Sequence, residues 1–321
     1  MRLFKKLYLI VILSWLFLSC GSRQSDHFSV RFGVCTDVHK DIMHDANERL
    51  AAFIGEAKGR DLDFIIQMGD FVRPYEHNLD FMDIWNSYPG EKYHVIGNHE
   101  PDGGFDMASV VEFFGMPGRY YSFDKEGFRF IVLDGNEFNP SPDRPGGYSR
   151  FISDEQLSWM VQEIRAANDR VVIFSHQSLE NEAGIENREY IRSLLEEENR
   201  LAGHNKVIAC FSGHHHTDYA TEINGIHYIQ INSMSYYWAG GNYQVVRYSE
   251  EIDQQFPWIK YTIPYEEPLY AFVEINNEAI SIEGKETRFV GPGPEELGMP
   301  PTPGNNPIVP RISNRKLLIK P

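Results

Sequence analysis

Histidine, aspartate and asparagine recur in five short blocks, each placed just after an apolar run with the composition of a buried strand. The blocks are Asp37-Val38-His39, Gly69-Asp70, Gly97-Asn98-His99-Glu100, Ser175-His176 and Gly213-His214-His215-His216. The runs before them include Val30-Arg31-Phe32-Gly33-Val34-Cys35, Phe64-Ile65-Ile66-Gln67-Met68 and Val171-Val172-Ile173-Phe174. Together the blocks carry enough ligands for two metal ions. A mixed set of imidazole, carboxylate and amide suits Mn, Fe or Zn better than the all-oxygen cages of Ca or Mg. The scarcity of thiolates argues against a structural zinc site. Taken singly, each residue has a plainer reading: Asp37, Asp70 and Asn98 could be caps or turn formers, and His176 a hydrogen-bonded structural histidine. Joint occurrence of all five blocks favours the metal site.

To bring such blocks together, the chain needs strands whose carboxyl ends share one edge, since ligands in open α/β sheets collect there. The sequence alternates accordingly. A helix is expected over residues 48–58, between the first two motif strands, and another over residues 186–198. Ser153-Asp154-Glu155-Gln156 reads as a capping box, with Ser153 as N-cap and Gln156 reaching back, before Leu157, Met160, Val161 and Ile164 at helical spacing. Residues 121–123 and 128–133 read as adjacent strands. Two stretches break the alternation. Residues 233–268 are crowded with aromatics, among them Tyr236, Tyr237, Trp238, Tyr248, Phe256 and Trp258, and are too long for an ordinary connection. They are expected to form a lid, a substrate wall or an insertion with its own small core. Residues 291–321 form a Pro/Gly-rich tail ending in a basic, apolar segment that is expected to dock as a strand or strap.

In their order, the blocks resemble the signature of the calcineurin-like metallophosphoesterases, over roughly residues 29–232 with a closing strand near residues 270–282. The resemblance implies an α/β fold in which two packed mixed β-sheets are flanked by helices, a four-layer sandwich within residues 29–290. It also implies two divalent ions. Asp37, His39, Asp70 and His216 would hold one, and Asp70, Asn98, His176 and His214 the other, with Asp70 bridging. A metal-bridging hydroxide would attack phosphorus in line. His99 would help the leaving oxygen depart, with Glu100 as the acidic neighbour that orients it. His215 lies between two ligands, and strand alternation points it away from them. Arg73 could clamp a phosphate oxygen or pair with a surface carboxylate, and His44 could line the pocket. Tyr236, Tyr237 and Trp238 are the aromatics nearest the last motif and the candidates to face substrate. No Tyr follows Gly69-Asp70 at the iron-ligand spacing of purple acid phosphatases, so a phenolate–iron site is not expected. The pattern looks closer to the cyclic-nucleotide and nucleotide-diphosphate phosphodiesterase branches, which implies hydrolysis of a small phosphodiester or pyrophosphate ester. The alternatives are a phosphomonoesterase, or a non-catalytic lipoprotein that binds a ligand on the same scaffold.

Composition narrows the partners. The 321 residues are 42% hydrophobic and carry a formal net charge of −16, a surface that repels long nucleic acids but leaves small phosphate esters open as substrates. Residues 1–19 have the form of a signal peptide: Arg2, Lys5 and Lys6 precede an apolar stretch over residues 7–18, too short to span a bilayer as a helix. The stretch ends in Leu16-Phe17-Leu18-Ser19-Cys20-Gly21, which resembles a bacterial lipoprotein processing site. Export is therefore expected, with a lipid on Cys20 and a linker over residues 20–28 tethering the body to the periplasmic or cell-surface face of a membrane. Cys35 and Cys210, both in apolar runs, are expected to be buried, unbridged thiols.

Overall fold

Strands formed almost wholly of apolar residues have no solvent face, so both of their sides must be covered. The computed structural model, which describes residues 29–300, 302 and 306–320, meets this demand with two six-stranded sheets stacked face to face. The expected signal peptide, Cys20 and the linker lie outside the described residues. In chain order the elements are β1 (Ser29–Cys35), α1 (Ala46–Lys58), β2 (Phe64–Gln67), α2 (Leu79–Asn86), β3 (Glu91–His94), α3 (Met107–Phe114), β4 (Tyr121–Lys125) and β5 (Phe128–Val132). There follow α4 (Asp154–Ala166), β6 (Val171–Phe174), α5 (Arg188–Ala202), β7 (Val207–Ser212), β8 (Tyr219–Ile223) and β9 (Ile226–Gln230). The chain continues through β10 (Tyr236–Trp238), α6 (Glu250–Gln255), β11 (Thr262–Pro264), β12 (Ala271–Asn276), β13 (Ala279–Glu283) and β14 (Arg315–Leu318).

The first sheet has the order β14-β13-β12-β1-β2-β3 and the second β4-β5-β6-β7-β9-β8. Strands β1, β2 and β3 run parallel, as do β5, β6, β7 and β9, while the outer strands are antiparallel. These are two mixed sheets, as expected. Period-two alternation separates the layers within fully buried strands. In β6, Val172 and Phe174 join the principal core, whereas Val171 and Ile173 pack with Leu157, Met160 and Ile164 of α4 and Ile191 and Leu195 of α5. Phe32 of β1 meets Phe130, Phe174 and Phe211 of the other sheet edge-on, at ring distances of 5.7–6.1 Å. Its neighbour Gly33 faces the opposite way, and a side chain there would press on Phe53 of α1. The two sheets are thereby locked with their motif-bearing strand ends on the same edge.

Several local expectations shift. Helix α5 starts after Asn187 and runs past residue 198 to Ala202, because Arg200, Leu201 and Ala202 favour helix and the stop is Gly203, in the left-handed conformation (φ 74°). Ser153 caps α4 by accepting from the Gln156 N–H, but Gln156 does not reach back. Its amide instead bridges Asp134 and Glu137, accepting from the Asp134 N–H at 2.9 Å and donating to the Asp134 carbonyl at 3.0 Å. A buried strand end with unpaired backbone groups claims it. The aromatic stretch forms the β10–β11 ribbon, α6 and irregular chain, and does not enclose a core of its own. Met234, Tyr236, Ile259 and Tyr265 join the principal core, with Tyr248, Ile252 and Phe256 packed against it. The closing strand near residues 270–282 is the pair β12 and β13, and the terminal strap supplies the edge strand β14. Cys35 and Cys210 are buried and unbridged.

Candidate metal centre

The motif turns fold as they do because backbone and carboxylate approach too closely to admit larger residues. A side chain at Gly97 would strike the backbone nitrogen and Oδ1 of Asp70, and one at Gly213 would strike Thr36 Oγ1. The chain at these turns is also strained. Of the seven non-glycine residues with positive φ among those described, Asp37, His39, Asp70, His214 and His216 belong to the motifs. Such conformations cost about 1–3 kcal/mol each and persist where surrounding structure enforces them. Here parallel rungs continue past the strand ends: Asp37 donates its N–H to the Gly69 carbonyl and His39 to that of Asp70, both at 2.9 Å.

Each aspartate has one oxygen clamped by the protein and one left free. Oδ2 of Asp37 accepts from Thr36 Oγ1 (2.6 Å) and the His214 N–H (3.0 Å). Its Oδ1 faces His216 Nε2 at 3.1 Å and His39 Nε2 at 3.8 Å. Oδ1 of Asp70 accepts the His99 N–H at 2.8 Å. Asp70 Oδ2 then lies 3.2 Å from His176 Nε2 and 3.7 Å from His39 Nε2. The potential ligands form two groups, Asp37/His39/His216 and Asp70/His176/His214. Because Asp70 Oδ2 reaches toward both, it occupies the position a bridging carboxylate needs.

The residues fit cations on their own chemistry. His216 Nδ1 donates to the Tyr236 carbonyl at 2.7 Å and His176 Nδ1 to that of Met68 at 2.8 Å, so both rings present Nε2 to the site. His39 Nε2 and His216 Nε2 are only 3.3 Å apart. Asn98 Oδ1 and His176 Nε2 are buried with no hydrogen-bond partner. Acceptors gathered in this way repel unless positive charge lies between them. The electrostatics of the site make the same demand. Burial opposes charge on both Asp70 and His176, yet their mutual attraction prevails, holding Asp70 well below the usual carboxylate range and pushing His176 up to about 10. Burial keeps His39 near 3 and His214 well below its ordinary value, leaving both neutral.

His99 lies beside these groups, but Glu100 does not orient it. The Glu100 carboxylate is buried and accepts from the N–H groups of Phe71 (2.6 Å), Gly97 (2.7 Å) and Asp70 (3.2 Å), pinning the second and third motif turns together. Burial first, then the Asp70 charge, push it up to about 7. The carboxylate that meets His99 Nδ1 is Asp102, at 2.7 Å. Asp102 also pairs with Arg73 at 3.0 Å and accepts from the Tyr148 hydroxyl at 3.2 Å. Burial works against the charged imidazole, but Asp70 and Asp102 outweigh it and raise His99 above its ordinary value. Sequence reading passed over both partners. Asp102 could have been found from its spacing of three residues after His99, on a turn held by Pro101, whereas Tyr148 arrives from a distant loop with no local signal.

A cavity of about 580 Å³ opens above the two groups, lined by His39, Asp70, His99, His214 and His216 on its floor and by Ile42, Arg73, Asp102, Tyr148, Trp238 and Trp258 around its wall. Arg73 and Trp238 both line this cavity. Tyr236 borders the cavity but is only 1% exposed, stacked 5.0 Å from the His39 ring, so its main contact is with a ligand. Tyr237, next along the ribbon, alternates away from the lining. His44 does not line the pocket either; its ring packs 4.4 Å from Tyr248 beneath the aromatic insertion, where an apolar slot takes it. His215 turns away from the metal groups and hydrogen-bonds Ser178 Oγ at 2.8 Å. Asp134 is buried against Arg119 at 2.6 Å, behind the site.

Among known proteins, the profile of the calcineurin-like phosphoesterase family matches residues 30–218, which contain all five motifs. No curated protein matches the chain in sequence. A dimetal phosphatase from Danio rerio has a similar structure, with a TM-score of 0.58 at 17% identity over 81% of this chain and 98% of that one. So does GAP50, the anchor in the inner membrane complex of Plasmodium, with a TM-score of 0.54 at 15% identity over 91% and 90%. At such identities the likeness is one of fold, whereas the profile spans more than half of this sequence and ends just past the last histidine that faces the metal groups. The chain belongs to the calcineurin-like phosphoesterases.

Proposed function

We propose that the protein hydrolyses a small phosphodiester or pyrophosphate ester, one with a planar or apolar group beside the phosphorus. The observation that carries this reading is the wall of the cavity. Trp238 and Trp258, 44% and 54% exposed, stand over the metal groups with Ile42 and Tyr148, and among the described residues Arg73 is the only lysine or arginine in the lining. A monoester dianion is best gripped by several cations, and Arg73 is already shared with Asp102. A diester or pyrophosphate carries substituents on both sides of its bridge, which need surface to rest on, and aromatic faces offer it at modest entropic cost.

Asp37, His39, Asp70, Asn98, His176, His214 and His216 would hold two divalent cations, which supply Lewis acidity toward phosphate oxygens and acidify a water as nucleophile. The remaining steps belong to the protein. Asp102 takes the proton-bearing Nδ1 of His99, so Nε2 is the nitrogen left for the cavity. From there it can hand a proton to the departing oxygen or stabilise its charge. Arg73 contributes a guanidinium edge beside the same corner. A panel of phosphomonoesters, phosphodiesters and nucleoside diphosphate esters, assayed with Mn supplied, tests the reading. Preferential turnover of diesters or pyrophosphates is expected, and turnover of monoesters alone overturns it.

Export and lipid attachment are part of the same proposal, resting on the basic and apolar composition of residues 1–19 and on Cys20. Among the described residues no helix is long and apolar enough to cross a membrane. Cys20→Ser should move the protein from the membrane fraction to the soluble one. A mature chain that starts before Cys20 or has no lipid mass rules this out.

A further inference from the structure

We infer that the C-terminal segment, residues 309–315, is a positioning element for one of the two metal groups, Asp37/His39/His216, and not for the other. This rests on the assignment of those residues as ligands. Asp218, two residues beyond His216, has a buried carboxylate whose polar contacts come from the segment: Ser313 Oγ donates to Oδ2, Arg315 Nη2 donates to Oδ1 at 2.7 Å, and Arg311 Nε stands 3.9 Å away. A second connection starts at Asn232, whose amide donates to the carbonyls of Val309 (2.8 Å) and Arg311 (3.0 Å). Its oxygen accepts from the Ser233 N–H, and Ser233 Oγ donates to the Asp37 carbonyl at 2.8 Å. Ser235 Oγ continues the contact to the Val38 carbonyl, also at 2.8 Å.

One connection ends on the Asp37 backbone and the other on Asp218, two residues past His216, so both reach the same group. Asp37, His39 and His216, like Asp70 and His214 of the other group, are held in the left-handed region, which unconstrained chain would leave. A strap that clamps residue 218 on one side and, through Asn232 and Ser233, residue 37 on the other adds to the backbone rungs a constraint that reaches this group. The other group is fixed differently. Asp70 is gripped by the His99 N–H, with Glu100 bonded to its own N–H, and His176 by the Met68 carbonyl, while His214 meets the first group only through its N–H, which Asp37 Oδ2 accepts. The strap itself is seated independently of the site, through the β13–β14 pairing and through His227 Nε2, which donates to the Leu318 carbonyl at 2.9 Å. Partners that orient ligands without touching the metal typically alter affinity about 10- to 100-fold.

The test is a two-site calorimetric titration of metal-stripped full-length protein with Zn, paired with thermal melts of the same metal-free samples. In Arg315→Met, one site should weaken about 10- to 100-fold while the other keeps its affinity. Ser313→Ala removes a hydrogen bond without unpairing a charge and should weaken the same site by a smaller factor. It serves as the reading variant if Arg315→Met does not fold. Equal weakening of both sites, or a lower melting temperature with both affinities unchanged, overturns the inference and leaves the segment a stability strap. Wild-type protein that binds no Zn overturns the ligand assignment instead.

Discussion

The floor and the wall of the cavity are built on different plans. Every floor residue sits within a few positions of a strand end: Asp37 and His39 after β1, Asp70 after β2, Asn98 and His99 after β3, His176 after β6, and His214 and His216 after β7. Backbone rungs extend from those strands into the turns, and carboxylate oxygens are clamped by nearby N–H groups. The aromatic part of the wall has no such local logic. Tyr148 comes from the long connection between β5 and α4, Trp238 from a short ribbon, and Trp258 from the irregular chain after α6. A floor tied to two sheets preserves one chemistry, while a wall made of loops can change its contents without disturbing the ligands.

That contrast can be broken most severely at Asp70. Asp70→Ala should lose both metals and nearly all turnover, because the free oxygen facing both groups disappears. Elemental analysis is the check, and two metals per chain in the variant would deny the bridge. Gly97→Ala should act almost as strongly without removing any ligand, since its methyl group has to displace the Asp70 carboxylate. The expected readout is again lost metal, now in a protein whose ligand set is complete. Retained metal would mean that the turn is softer than its contacts imply.

Next in size is the acid corner, where floor meets wall. His99→Gln should keep its metals and lower turnover by about 10²- to 10⁴-fold, the usual scale for a positioned acid or base. The loss should shrink for nitrophenyl esters, whose leaving groups need no proton, and equal losses across a leaving-group series would remove His99 from that role. Asp102→Asn should cost less, about 10- to 100-fold, by freeing the imidazole to turn. Glu100→Gln serves as the contrast, because its carboxylate bonds backbone and should affect melting temperature more than the leaving-group dependence.

The smallest effects belong to the wall. Replacing Trp238 and Trp258 by Ala should raise KM for the preferred ester by about three- to tenfold, matching about 0.5–1.5 kcal/mol for an aromatic contact. Metal content and turnover of a small generic diester should stay close to wild type. Uniform losses on every substrate would show that the wall is part of the catalytic frame after all. His44→Ala, by comparison, should leave KM unchanged, since the ring lies under the insertion and away from the cavity.

By itself the sequence determined the layered architecture and the candidate ligands, because both are written at short range. Apolar runs set the buried strands, each ligand lies within a few residues of the strand that carries it, and glycines mark turns where nothing larger fits. Tertiary structure alone decided which carboxylate serves His99. Glu100 is next in the chain, but the turn points it into the backbone, and Asp102 points back toward the ring. It also decided that Tyr237 and His44 stay away from the cavity while Trp258 and Tyr148 line it. The aromatic stretch reads as uniformly adhesive in one dimension, and which of its rings face inward depends on how the ribbon registers against the core. The hold of residues 309–315 on Asp218 and Asn232 was equally invisible, since it joins positions some eighty to a hundred residues apart through hydrogen bonds whose partners carry no pattern of their own.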